Sequence, residues 1–231
     1  MTSPEDRPLA LEIDGCGRVS ALLTLPAAPA AAYVLAHGAG AGMRHPFMAA
    51  IAARLAERGI ATLRYQFPFM EHGTRRADPP RVAHATVRAA VAEANLEWKG
   101  LPLFAGGKSF GGRMTSQAQA ESPLPGVAGL VFLGFPLHPA GRPASERGDH
   151  LARVDCPTLF IQGSRDELAD PALIAALVDR LGARATLSMI EDADHAFHVR
   201  KRSGSDDAQV LARIADTVRD WMLARAAPPA S

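Results

Sequence analysis

Ser109 is the residue around which the chemistry of this chain can be organised. Residues 107–111 read Gly-Lys-Ser-Phe-Gly, which is the pattern Gly-x-Ser-x-Gly. A short apolar run, residues 102–105, precedes the serine, and residues 113–120 after it contain no Gly or Pro. The serine therefore lies where a buried strand would turn into a helix, which is the context of a nucleophile elbow. A Cβ at Gly107 or Gly111 would collide with the chain at so tight a turn, so we predict that Ser109 is a nucleophile.

The motif could also arise in two ways that involve no nucleophile. A lone Gly-x-Ser-x-Gly occurs by chance in a glycine-rich chain, so its weight comes from the strand and the helix around it. Residues 107–109 also match the end of the phosphate-binding pattern G-x-x-x-x-G-K-S. That pattern needs a glycine at position 102, which is Pro102, and a phosphate loop is thereby excluded.

A serine needs a base that removes its proton, and the base needs a carboxylate that fixes its tautomer. In a chain with a nucleophile elbow, the order is serine, then acid, then histidine. Asp166 follows the apolar segment 158–162, and His195 follows the segment 185–190. Both residues have the expected order and placement. We predict a catalytic triad of Ser109, Asp166 and His195.

Five residues compete with these assignments: Glu167, Asp170 and Asp194 for the acid, and His138 and His198 for the base. Asp194 adjoins His195 and is, as a sequence neighbour, poorly placed to reach its Nδ1 atom. Either competing histidine could simply hydrogen-bond a loop. His195 and His198 have no Glu or Cys nearby to complete a zinc site, so we expect no metal and no cofactor.

A glycine-dense loop, His37 to Gly42, follows the apolar run 33–36. Acyl transfer requires two N–H groups that point at the developing oxyanion, one from the residue after the nucleophile and one from an earlier loop. We predict that Phe110 and Ala39 donate them. We expect His37 to be a structural hydrogen-bonding residue and Lys108 to fill space at the elbow.

Apolar strand patterns alternate with helical patterns along the whole chain. Strands are predicted at 9–13, 19–25, 33–36, 60–65, 102–105, 127–133, 158–162 and 185–190, with helical spacing between most of them. This alternation predicts one α/β domain over residues 1–231, with a mainly parallel sheet covered by helices on both faces. Ligands bind such sheets at the carboxyl ends of the strands, where every loop singled out above lies.

The access to Ser109 can also be predicted. Only the loop 134–154 stands where larger enzymes of this architecture carry a helical cap, so we expect no large cap domain. The walls of a shallow, mostly apolar substrate pocket are predicted to be Phe67, Phe69, Met70, Phe110, Phe135 and Leu137. An open pocket of this kind favours short acyl chains.

Charge and composition narrow the class of partner. Lys and Arg number 25 against 24 Asp and Glu, so nothing favours nucleic acid or an anionic membrane, and we expect neither as a partner. No stretch approaches the roughly 20 apolar residues of a membrane helix. The chain has only two cysteines and an acidic first segment unlike a signal peptide, which favours the cytoplasm. The oligomeric state is not indicated.

Four segments together resemble one branch of a known superfamily: 37–40, 106–113, 134–139 and 162–166. They look like the α/β-hydrolase branch that includes dienelactone-hydrolase-like proteins and the testis-expressed protein 30 and KANSL3 group. The resemblance spans residue 33 to the last helix and implies an α/β-hydrolase fold with a Ser, Asp, His triad. Dienelactone hydrolases proper use a cysteine nucleophile, whereas this chain has Ser109, so lactone hydrolysis is not implied.

Two functions follow from these observations. The first is a serine hydrolase that acts on a small ester, thioester or related acyl compound. The second is a catalytically silent scaffold, since members of the resembled group serve in protein complexes. The presence of Ser109, Asp166 and His195 together favours the enzyme.

Overall fold

The computed structural model describes residues 6–74 and 76–226. Within these ranges the chain forms eight strands and six α-helices. The strands are β1 (Asp6–Ile13), β2 (Gly17–Thr24), β3 (Ala31–Ala36), β4 (Ile60–Tyr65), β5 (Leu103–Lys108), β6 (Val127–Leu133), β7 (Thr158–Gly163) and β8 (Ala185–Ile190). The helices are α1 (Pro46–Ala56), α2 (Pro68–Glu71), α3 (Pro80–Glu97), α4 (Phe110–Glu121), α5 (Pro171–Leu181) and α6 (Asp207–Ala226). Short 3₁₀ segments occur at Glu146–Arg153, Gly182–Arg184 and Lys201–Ser203.

The eight strands form one sheet in the order β1-β2-β4-β3-β5-β6-β7-β8. The pairs β1–β2 and β2–β4 are antiparallel, and every other neighbouring pair is parallel. From β3 the chain crosses to β4 on one side, whereas from β5 it proceeds to β6 on the other. The loops that follow β3 and β5 therefore diverge and leave a crevice at the carboxyl edge of the sheet, where ligands bind in open α/β sheets.

Helices cover both faces of the sheet because its central strands are apolar on both sides. On β3, Tyr33 and Leu35 pack into one core, whereas Val34 and Ala36 pack into the other. The first core contains residues from α1 and α6: Met48, Ile51, Leu55, Val210, Ile214, Val218 and Trp221. The second core contains residues from α3, α4 and α5: Val87, Val91, Met114, Ala118, Ile174 and Leu177. The predicted mainly parallel sheet with helices on both faces is confirmed.

The segment between β6 and β7 contains no α-helical cap. Residues 134–157 form a loop and one 3₁₀ segment, which packs against α4 and α5. Helix α5, which follows β7, has a well-defined N-terminus. Pro171 occupies its first turn, and the Asp170 side chain accepts hydrogen bonds from the N–H groups of Ala172 and Leu173. Among residues 6–74 and 76–226, no helix is both long and apolar enough to cross a membrane.

Candidate active site

Ser109 connects β5 directly to α4 in a strained backbone conformation. Its φ and ψ angles are 50° and −117°, a region that residues other than glycine rarely occupy. Its N–H donates to the Leu133 carbonyl at 3.1 Å, and its own carbonyl accepts from the Arg113 N–H at 3.1 Å. The turn places the Ser109 side chain in the crevice, beside the loop that follows β3.

The two motif glycines lie against neighbouring backbone. A Cβ at Gly107 would lie 2.2 Å from the Ala36 carbonyl oxygen, and a Cβ at Gly111 would lie 2.5 Å from that of His37. Both distances are far below van der Waals contact. The prediction that neither position has room for a side chain is confirmed.

Three side chains from separate loops meet at this turn. The Nε2 atom of His195 lies 2.9 Å from Ser109 Oγ, and its Nδ1 atom lies 2.7 Å from Asp166 Oδ2. An ionised carboxylate only accepts hydrogen bonds, so Nδ1 donates to Asp166 and Nε2 is left to accept from the serine hydroxyl. This is the arrangement in which a histidine can remove the proton of a serine.

Asp166 is almost fully buried and held by further contacts. Its Oδ1 atom accepts the Leu168 N–H at 2.8 Å, and its Oδ2 atom also accepts from Gln162 Nε2 at 2.5 Å. The other end of the Gln162 amide accepts the Phe135 N–H at 2.9 Å. Sequence reasoning did not assign Gln162 a role, although a glutamine at the end of an otherwise apolar strand was a usable signal. Its amide fixes the carboxylate that faces His195.

The competing acids are engaged elsewhere. Asp170 caps α5, and Glu167 is exposed. The Asp194 Oδ1 atom accepts the N–H groups of Ala196 and His198, so this carboxylate braces its own loop. Only Asp166 of these four carboxylates has a hydrogen bond to the His195 ring among the residues described.

The competing histidines are also engaged elsewhere. His138 donates from Nδ1 to the Pro139 carbonyl at 2.9 Å and accepts the Asp170 N–H at Nε2, at 2.8 Å. His198 Nδ1 lies 2.6 Å from Asp207 Oδ2, which raises the pKa of this histidine. Both residues therefore hold loops, and neither contacts Ser109.

His37 shapes the loop that lies beside Ser109. Its Nδ1 donates to the Gly38 carbonyl at 2.7 Å, and its Nε2 accepts the Phe67 N–H at 3.0 Å. Burial lowers the pKa of His37 to about 4, so the ring is neutral at physiological pH. A Cβ on Gly38 would lie 3.7 Å from Ser109 Cβ, which shows how closely this loop approaches the serine.

One of the two predicted oxyanion donors lines the cleft, and the other directly follows Ser109 in the chain. Ala39 lines the cleft together with Ser109, and Phe110 is the first residue of α4. The first N–H groups of a helix have no acceptor within that helix, and the helix dipole favours negative charge there. The arrangement can therefore present donors to a negative oxygen on a group bound to Ser109.

Lys108 does more than fill space. Its ammonium donates to the carbonyl oxygen of His195 at 2.5 Å, and it lies 5.1 Å from the ring centroid of Phe197 and 5.9 Å from that of Phe47. Burial lowers the pKa of Lys108 to about 8, opposed by the negative charges of Asp166 and Asp194. Sequence reasoning missed this contact, because the lysine and the carbonyl are far apart in the chain.

A cleft of about 710 Å³ opens on Ser109. Its lining comes from the loop after β3, the first half of α1, the elbow, the loop after β7, the His195 loop and α6. The rings of Phe47 and Phe197 lie nearly parallel in one wall, with centroids 5.8 Å apart. The rest of the lining consists of Gly38, Ala39, Gly40, Ala41, His45, Pro46, Met48, Ala50, Lys108, Ser109, Leu168, His195, Ala196, His198, Asp207 and Leu211.

The predicted pocket walls are corrected by the structure. Phe67, Phe69, Phe110, Phe135 and Leu137 are buried in the core, and Met70 packs against that core. Helix α2 begins at Pro68 and turns this segment inward, where the Phe67 and Phe69 ring centroids lie 5.3 and 5.9 Å from that of Phe110. The bond between the Phe135 N–H and Gln162 likewise draws Phe135 inward. None of these residues lines the cleft.

Comparison with known proteins agrees with this architecture. The dienelactone hydrolase of Anabaena variabilis is 21% identical, with 98% of this chain and 100% of that chain covered and a TM-score of 0.76. A serine hydrolase without a lid from Xanthomonas campestris is 22% identical over 98% of this chain and 97% of that chain, with a TM-score of 0.74. An alpha-beta serine hydrolase homologue from Coxiella burnetii is 18% identical over 98% and 99% of the two chains, with a TM-score of 0.70.

At these identities the solved structures show a shared fold. The family itself is shown by the sequence, because residues 29–223 match the family model described as an alpha/beta hydrolase domain. The mainly parallel eight-stranded sheet with helices on both faces is that of this fold, and the described residues contain no large cap domain. The chain belongs to the alpha/beta hydrolase domain family.

Proposed function

We propose that the protein is a serine hydrolase that cleaves a small ester, thioester or related acyl compound through an acyl-enzyme on Ser109. The observation that carries this proposal is the hydrogen-bonded series Asp166, His195, Ser109, with separations of 2.7 and 2.9 Å. A scaffold that only binds other proteins has no need of this series. Its position in an apolar cleft gives it a place for a substrate.

In the first half of the reaction, His195 Nε2 removes the proton of Ser109 as Oγ attacks the acyl carbon. The carbonyl π electrons move to the oxygen, which becomes an oxyanion. When this tetrahedral intermediate collapses, the bond to the leaving alcohol or thiol breaks, and the His195 imidazolium returns its proton to that group. The buried Asp166 carboxylate stabilises the imidazolium between these two transfers.

In the second half, water replaces the leaving group. His195 removes a proton from the water, the resulting hydroxide attacks the acyl carbon, and the carboxylic acid leaves as Ser109 recovers its proton. The N–H groups of Ala39 and Phe110 stabilise both oxyanions, supported by the close approach of the loop after β3 and by the position of Phe110 at the start of α4.

The cleft indicates the kind of substrate. Its volume of about 710 Å³ lies within the range of roughly 300 to 1,000 Å³ that is usual for small-molecule sites. Phe47, Met48 and Leu211 give it an apolar wall for the acyl or the alcohol part. We therefore propose a small-molecule substrate. We also propose that the protein is cytoplasmic, with Cys16 and Cys156 as free thiols.

A panel of p-nitrophenyl esters from acetate to decanoate tests the proposal. We expect turnover by the wild-type protein that is lost in Ser109→Ala and His195→Ala. The rate should fall as the acyl chain lengthens, because no lid covers the cleft in the part of the chain that the structure describes. No hydrolysis of any ester or thioester by folded wild-type protein would favour the scaffold. Faster hydrolysis of long-chain esters would contradict the chain-length preference alone.

A further inference from the structure

Lys108 joins two parts of the site that are distant in sequence. It is the last residue of β5 and directly precedes Ser109. Its ammonium donates to the main-chain carbonyl of His195, 87 residues away in the chain. One side chain therefore ties the strand that carries the serine to the backbone of the histidine.

The loop that carries His195 is braced by its own bonds, including those that the Asp194 carboxylate accepts from Ala196 and His198, but among the described residues the His195 carbonyl accepts only from Lys108. Ala193 and Val199 form an isolated bridge, and the Asp194 N–H donates to the His198 carbonyl at 3.0 Å. Phe197 adopts a left-handed backbone with φ of 67°, which costs energy for a residue other than glycine. The bond from Lys108 reaches the carbonyl of His195 between these braces.

The surroundings of Lys108 protect this bond from water. The Phe47 and Phe197 rings lie over the ammonium, and Phe197 is only 3% exposed. A hydrogen bond from a charged donor is stronger when water is excluded. Room for the ammonium exists because residue 134 is glycine, where a Cβ would lie 2.9 Å from Nζ and 3.4 Å from His195 Cε1. Lys108 and the imidazole of His195 thus border the same space beside Gly134.

We propose that Lys108 is a positioning residue for His195: its bond to the His195 carbonyl holds the imidazole within hydrogen-bond distance of Ser109. Lys108 acts through His195 and contacts no reacting atom. The effect on turnover rests on the proposed function, whereas the hold on the loop does not.

Lys108→Met tests the proposal, since methionine keeps the apolar stem and removes the ammonium. It also removes a buried charge, so we expect the variant to fold. Lys108→Gln, whose side chain is one atom shorter, is the second variant should the first not fold. Lys99→Met, at an exposed position, is the matched control.

Two measurements are made on each protein. Hydrogen exchange should become about tenfold or more faster at the amides of residues 193–199 in Lys108→Met and stay unchanged in α3 and in the control, since a loop that opens more easily exchanges faster. With p-nitrophenyl acetate, kcat should fall by about 100-fold with KM within about twofold, because a small displacement of a catalytic group costs that much.

The outcomes separate the two proposals. If the wild-type protein hydrolyses no ester, the proposed function fails, and the exchange rates alone decide whether Lys108 holds the loop. Unchanged exchange at residues 193–199 overturns the inference. A second result would also overturn it: in Lys108→Met, kcat stays like that of wild type and KM rises only for an ester that bears a carboxylate. Lys108 would then bind the substrate.

Discussion

At the scale of single residues, the proposed chemistry depends most on the partner of His195. The Asp166 carboxylate accepts a hydrogen bond from the Nδ1–H group of the histidine and leaves Nε2 free to act as a base. In Asp166→Asn, the amide donates to the ring instead and favours the wrong tautomer. We expect kcat for p-nitrophenyl acetate to fall by roughly 10⁴-fold, as it does for the serine-protease triad, with KM little changed.

The exposed neighbour Glu167 provides the control for this variant. Glu167→Gln removes a carboxylate one position along the chain and should leave kcat within about twofold, since exposed side chains without partners in the site contribute little. Steady-state kinetics on both variants check the assignment. A large loss in Glu167→Gln with near-normal activity in Asp166→Asn would transfer the role to Glu167.

The three residues of the proposed triad could be predicted from the sequence, but the side chains that hold them in position could not. Ser109, Asp166 and His195 follow from a local motif and from chain order, which are visible without a structure. Lys108 and Gln162 contact partners in distant loops, and no local pattern identifies such partners. Their roles depend on the path of the chain, which only the structure gives.

At the scale of elements, the turn from β5 to α4 fixes where the serine stands. Gly107→Val would bring a branched side chain against the Ala36 carbonyl, only 2.2 Å from the position of the Cβ. We expect this variant to lose most of its soluble expression or several degrees of melting temperature, because overpacking against backbone cannot relax. Gly40→Val is the control for folding, since a Cβ there meets open space. Equal melting temperatures for the three proteins would show that the turn tolerates a side chain.

The start of α1 supplies one wall of the cleft through Phe47. Phe47→Ala removes an apolar surface beside Phe197. Burying a phenylalanine side chain contributes about 1.5 to 3 kcal/mol, so we expect KM for an apolar ester such as p-nitrophenyl butyrate to rise by about tenfold or more. Leu96→Ala, at a residue that is 69% exposed, is the control. A KM unchanged in Phe47→Ala would show that the substrate lies elsewhere.

The strands could be predicted from the sequence, whereas the walls of the cleft could not. Apolar patterns located all eight strands, and the central ones were the clearest because strands buried on both faces read as continuous apolar runs. They misplaced the pocket walls, because Phe67 and Phe135 lie in loops and Phe69 lies in the four-residue helix α2, and such short or irregular segments have no periodicity that reveals which way a side chain turns. The structure turns them into the core, and Phe47 and Phe197 form the wall instead.

At the scale of the whole molecule, the order of the strands brings the site together. The reversal of strand order between β3 and β5 opens the crevice, and the loops after β7 and β8 then reach the same edge. A Cβ on Gly163 would lie 2.3 Å from the Ala193 carbonyl oxygen, so these two loops approach closely. That approach places Asp166 beside His195.

The buried neutral His37 makes the stability of the whole molecule sensitive to acid. Burial lowers its pKa from 6.5 to about 4. Between these values the unfolded chain binds a proton that the folded protein does not, so the free energy of unfolding falls as the pH is lowered from 6.5 towards 4. At about 1.4 kcal/mol per pKa unit, this single group contributes a loss of about 3 kcal/mol.

Urea denaturation at a series of pH values checks this prediction. In His37→Gln the fall in the free energy of unfolding between pH 6.5 and 4 should be smaller than in wild type by about 3 kcal/mol, because this variant takes up one proton fewer on unfolding. The exposed His72 gives the control, and His72→Gln should keep the wild-type slope. Burial and nearby Arg113 and Arg153 lower the pKa of His150 to about 4, so part of the acid sensitivity should persist in His37→Gln.

The central claim is that Ser109 is a nucleophile activated by His195, and reaction with a fluorophosphonate probe tests it most directly. We expect intact-mass and peptide analysis to show one probe per chain, attached to Ser109, with no adduct in Ser109→Ala and much slower labelling in His195→Ala. The chain also contains a buried Ser116 whose Oγ lies 2.7 Å from His150 Nε2, so Ser116→Ala is the matched control and should label like wild type. Folded wild-type protein that does not react, or an adduct that persists in Ser109→Ala, would contradict the account.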